Sequence, residues 1–225
     1  MRLRVINITL CFCVIIFGAA INIFAQQQNY DISSGGQSTI TGALNGSVSG
    51  SSTSLQNLTV TINFGEVSAA NPNAIVRVVV PIGVRSLQPY QVSVSMSGNG
   101  NADSRAIQLT DIGYGNSNMR PLGAKGQLCT RSSHIFYAPF DNDPATTRTI
   151  NSSGRVAYTS TTAKITSSTV ILSGPKLTQG KGSSRLVDDG WVFDAVFVIT
   201  PQFFAPGSTT ATLTFIIAEG PAALC

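Results

Sequence analysis

Few residues in this chain have the types and spacings that chemistry requires. There is one histidine, His134, between Ser133 and Ile135. One imidazole supplies no multi-histidine metal site, so its expected role is that of a hydrogen-bonded or exposed structural histidine. Carboxylates come as two close pairs, Asp141-Asn-Asp143 and Asp188-Asp189. Glycoside hydrolysis needs two carboxyl groups facing across a cleft, and nothing in the sequence sets these pairs opposite each other. Asp141 and Asp143 have oxygens to offer a calcium ion, although the bidentate Glu and spacing of an EF-hand loop are missing. The competing role for both pairs is turn formation. No G-x-S-x-G, H-E-x-x-H or P-loop occurs. The expectation is a non-catalytic protein with no cofactor and no metal centre.

Two further sets carry specific chemistry. Cys129 and Cys225 lie outside the N-terminal apolar run that holds Cys11 and Cys13. In an exported chain an even pair reads as one disulfide, closing a loop of about 97 residues with a chain-entropy gain of roughly 4–5 kcal/mol before strain. Two free thiols or an intermolecular link are the alternatives. Among the aromatics, Trp191 is the only tryptophan and shares its parity with Phe193 and Phe197, which marks a core position. Phe203 and Phe204 instead fall in a Pro201–Gly207 connection. They form a candidate ligand-contact loop if exposed, and cap the core if they fold under it.

The export expectation comes from residues 1–25. Arg2 and Arg4 form a basic start, an apolar run follows, and Ala25 precedes Gln26-Gln-Gln. That is the layout of a signal peptide, with a retained membrane anchor as the other reading. Losing Arg2 and Arg4 lowers the net charge from +4 to +2. No basic stripe remains to suggest nucleic acid, and no membrane segment is expected after cleavage.

Residues 26–56 are almost entirely Gln, Asn, Ser, Thr and Gly, a polar lead. Within it Ile40, Leu44 and Val48 alternate with glycines and small polar residues across Thr39–Gly50. A period of two predicts one edge strand there, with a disordered linker as the other reading. Strands are then expected in quick succession over residues 57–225. Leu58, Val60, Ile62 and Phe64 alternate with Thr and Asn, and Ile75–Ile82 is nearly continuous apolar sequence. Val92, Val94 and Met96 alternate with Ser. Shorter strands are expected at Ile107–Leu109, His134–Phe140, Arg155–Thr159 and Thr169–Leu172. Asp111–Leu122, rich in Gly and Asn, and Gly174–Gly190 are expected as loops. The most hydrophobic stretch is Trp191–Ile217, two β-branched and aromatic runs predicted to form a central hairpin. No helical periodicity is visible, so the predicted fold is all-β: a single antiparallel β-sandwich, immunoglobulin-like or pilin-like.

The segment Phe204-Ala-Pro-Gly-Ser-Thr-Thr-Ala-Thr-Leu-Thr-Phe-Ile-Ile217 resembles the closing strand of fimbrial and spore-coat-type pilin domains. Asn63-Phe-Gly65 is similar to a short motif near their start. The resemblance implies an exported surface subunit. It also implies that an alternating N-terminal strand can complete a neighbouring subunit, a donor role for which Ile40, Leu44 and Val48 have the parity. The expected function is thus an exported structural or adhesive protein of the bacterial cell surface. Its partners would be further copies of itself or another surface protein, in the periplasm, on the cell surface or outside the cell. The alternative is a secreted carbohydrate- or ligand-binding module.

Overall fold

The computed structural model describes residues 29–43, 45–67, 75–97, 103, 105–122, 129–165, 167–177, 190–202, 204–205 and 209–223. Mostly they form β-structure, 54% strand and 8% helix, and the strands pair antiparallel in every sheet. One sheet contains β1 (Tyr30–Ser34), β2 (Thr39–Thr41), β5 (Val76–Ser86), β7 (Gly113–Leu122) and β12 (Gly190–Ile199). Its order is β1-β5-β12-β7, with β2 also on β5. The other runs β3-β4-β13-β6-β11-β8. Its strands are β3 (Ser47–Ser54), β4 (Asn57–Asn63), β6 (Tyr90–Ser97), β8 (Ile135–Phe136), β11 (Thr169–Gly174) and β13 (Thr210–Glu219). A small ribbon pairs β9 (Thr149–Ile150) with β10 (Val156–Ala157).

The inward faces follow from alternation. In β4 the buried residues are Leu58, Val60 and Ile62; in β13 they are Ala211, Leu213, Phe215 and Ile217. Side chains from both sheets belong to one core cluster. Phe197 of β12 meets Phe64, just after β4, edge-on at 6.3 Å between centroids. Phe193 meets Phe136 of β8 at 6.0 Å.

The expected Trp191–Ile217 hairpin does not form. β12 lies between β5 and β7, whereas β13 lies between β4 and β6 in the other sheet. Two strongly apolar strands each gain more by taking a central place, where both neighbours and the facing layer cover them, than by pairing with each other. The connection between them therefore crosses from sheet to sheet.

The polar lead also folds differently from the expectation of one strand. Tyr30 and Ile32 are buried in β1, which runs antiparallel to β5. The alternation over Thr39–Gly50 is split in two: β2 pairs with β5, and β3 pairs with β4 in the other sheet. Gly42 and Asn45 adopt left-handed backbone with φ of +80° and +59°, which turns the chain between them. A Cβ at Gly42 would lie 2.3 Å from the Ile75 carbonyl oxygen. Ile40 and Val48 both pack against this chain's own core, and Leu44 lies outside the described residues. Among the described residues Thr39–Gly50 thus lies in two separate strands of one chain.

Asp111–Leu122, expected as a loop, is mostly strand β7. Its glycines are there for packing. A Cβ on Gly115 would lie 2.0 Å from the Asn142 carbonyl oxygen, and one on Gly113 would lie 2.5 Å from the Tyr158 ring. The segment after β8 thus lies over the outer face of the five-stranded sheet. Its short helix Pro144–Thr147 starts at Asp143, whose carboxylate accepts the Ala145 N–H. In contrast Leu109 belongs to a 3₁₀ turn, Leu109–Asp111, and the strands expected around residues 134–140 and 155–159 shrink to two residues each.

Candidate functional site

The residues singled out for chemistry are scattered. Asp141 is exposed, and Asp143 is occupied twice over: it caps the short helix and pairs with Arg77 at 2.7 Å. The two carboxylates lie in a helix-starting turn, as Asp and Asn commonly do. Among the described residues no three His, Cys, Asp or Glu side chains converge on a metal-sized site. Phe204 is partly buried against the core, its N–H bonded to the Gln202 carbonyl; Phe203 lies outside the described residues, as do Asp188, Asp189 and Cys225. Cys129 is buried, its Sγ 3.3 Å from the Lys176 carbonyl oxygen.

His134 sits in an aromatic nest that sequence patterns did not expose. Its ring lies 4.7 Å from that of Trp191 and 6.2 Å from that of Tyr90. Gly174 permits this closeness, because a Cβ there would be 2.8 Å from His134 Cδ2 and 2.7 Å from the Tyr90 ring. Nδ1 lies 3.1 Å from the Thr130 carbonyl oxygen and so donates to it, while Nε2 and the Tyr90 hydroxyl have no partner among the described residues. Burial pushes the tyrosine's pKa up, and burial also holds the imidazole below its usual value of 6.5. Between the two states the unfolded chain takes up this proton first, so stability falls as pH drops through about 6.5 and below. Thermal melts of the protein are expected to show this loss between pH 7 and pH 5. His134→Phe, which keeps a ring in the nest, is expected to flatten the curve over that interval. An unchanged slope would assign the acid sensitivity elsewhere.

A second organised feature is the outer face of the six-stranded sheet. Strand register aligns Ser49, Thr61, Thr212 and Ser97 in one row across β3, β4, β13 and β6; Ser51, Thr59, Thr214 and Ser95 form the next. The Thr61 and Thr212 hydroxyls are 3.1 Å apart, and those of Thr59 and Thr214 are 3.3 Å apart. Rows recur about every 6.7 Å along the strands and strands about every 4.8 Å across them. The only charged side chain in these four strands is Glu219, the last residue of β13. Ile216, aligned with Ser93 and Val170, adds an exposed apolar step at one side. None of the hydroxyl-row residues is buried, whereas the opposite sheet's outer face is overlaid by the segment after β8. The alternating Thr and Ser residues were visible in the sequence; that they line up was not.

Among the described residues no helix is long and apolar enough to cross a membrane. No family model matches the chain, and no curated protein or solved structure shows significant similarity to it.

Proposed function

We propose that this chain is an exported, non-catalytic structural or adhesive protein of the bacterial cell surface, its two sheets forming the layers of a single sandwich. The observation that carries this reading is the uncharged, hydroxyl-lined face of the six-stranded sheet. A face of neutral donors and acceptors suits contact with an extended neutral surface, because it asks for no counter-charge and tolerates salt. The signal-like residues 1–25 and the pilin-like closing strand support the same assignment. The alternative ligand-binding loop draws less support, since Phe204 packs inward and Asp143 is engaged by Arg77 and Ala145.

The test is localisation combined with a charge substitution on the face. Antibody labelling of intact cells of the native host is expected to detect the protein outside, beginning near Gln26. Thr61→Lys with Thr214→Lys puts two cations on the face. Surface changes of this kind usually alter stability by about 0.5 kcal/mol or less each. Retention on the cell envelope is expected to drop while the melting temperature stays close to the parent's. Protein found only in the cytoplasm would refute the reading, and unchanged retention would remove the face from it.

A further inference from the structure

Sheet edges offer unpaired N–H and C=O groups, and folded proteins generally shield them. This protein shields most of its own. β7 is occupied along its first half: Tyr114 N–H bonds to Ser160 O, Asn116 N–H to Phe140 O, and Gly113 bridges to Thr161. Its second half carries a bulge and Pro121, which has no N–H to offer. β8 is two residues long, and the Ile32 N–H of β1 is bonded to Leu55 O. β3 differs. It is an outermost strand of the six-stranded sheet, paired only to β4 among the described residues. It runs eight residues, Ser47-Val-Ser-Gly-Ser-Ser-Thr-Ser54, or about 27 Å. Its register is interrupted only between Ser52 and Ser54, at the turn, so Ser47–Ser52 stays regular. It holds no Lys, Pro, Asp or Glu.

We propose that β3 is a pairing edge for a second copy of this chain, the two β3 strands running antiparallel across a two-fold axis and joining the six-stranded sheets into one. Charge selects this occupant. At a two-fold axis each strand meets itself, so any charge near the axis faces its own like. A strand of Ser, Gly, Thr and Val faces nothing that repels. Val48, only partly covered in one copy, also gains a neighbour. The joined sheet extends the hydroxyl rows, because Ser49 and Ser51 sit at their ends. This inference is independent of where the protein resides, so it can fail while the surface role stands.

Sedimentation and light scattering of the purified protein over a range of concentrations test it. A reversible dimer is expected. Ser49→Lys with Ser51→Lys is expected to weaken self-association by at least about tenfold through like-charge opposition, with circular dichroism and melting unchanged. Single cysteines placed in turn over Ser47–Ser52 give a second readout. Only positions at or next to the axis bring Cβ atoms within disulfide reach, so cross-linking should peak there and vanish elsewhere. A parent that stays monomeric at every concentration overturns the proposal. So does a dimer indifferent to both lysines, cross-linking equal at all positions, or pairing seen only with a different extended polypeptide.

Discussion

Replacing Phe197 with alanine is expected to cost about 3–5 kcal/mol of folding stability, the range for truncating a buried aromatic in a close-packed core. That is a large part of the roughly 5–15 kcal/mol available to a typical domain. Phe197 is fully buried in the last third of β12, its ring 5.0 Å from that of Tyr114 in the neighbouring strand and 6.3 Å from that of Phe64 across the layer gap. It therefore links two strands of one sheet and both sheets of the molecule. The cost has two parts, the lost transfer of the ring from water and the cavity left between two layers that cannot close freely. Denaturant titration should show a lower midpoint with an unchanged slope. Phe197→Leu, which leaves a smaller void, should lose less. A loss under about 1 kcal/mol for the alanine variant would mean that the sheets do not depend on this contact.

Cys225→Ser is expected to have an effect of similar size through the unfolded state. The disulfide proposed from the sequence would close a loop of about 97 residues, worth roughly 4–5 kcal/mol in the chain-entropy account. The strand layout favours it. Tyr90 of β6 is flanked by Gly174 of β11 on one side and Glu219 of β13 on the other. Lys176, two residues beyond Gly174, has its carbonyl beside Cys129 Sγ. β13 thus ends within two strand widths, about 10 Å, of the end of β11, and Cys129 lies beside Lys176, just past that end. Six further residues to Cys225 can span up to about 20 Å when extended. The native protein should be lighter by two hydrogen atoms than its reduced form, and a reductant should lower its melting temperature but not that of Cys225→Ser. Two titratable thiols in the unreduced protein would rule the bond out.

Alternation along each strand is enough to assign the faces. A period of two places Leu58, Val60, Ile62, Val92, Val94, Leu213 and Phe215 on one side of their strands and Thr or Ser on the other. That periodicity is local and survives whatever the strands pair with. Trp191, Phe193 and Phe197 were legible as core by the same parity, and they are buried.

Partners were not legible, because pairing is a contact between residues far apart in the chain. Trp191–Ile217 looks like a hairpin, yet its halves belong to different sheets, since each apolar strand is better covered between two neighbours than beside the other. Gly113 and Gly115 read as loop residues because composition cannot show that Tyr158 and the Asn142 carbonyl will press on them. The sparse lead has the period of one strand, but left-handed backbone at Gly42 and Asn45 accompanies its division between two layers. The hydroxyl rows show the difference most directly. Each strand supplies its Thr and Ser by alternation, but only the register of β3, β4, β13 and β6 makes a surface of them, because a slip of one residue would turn those side chains into the core.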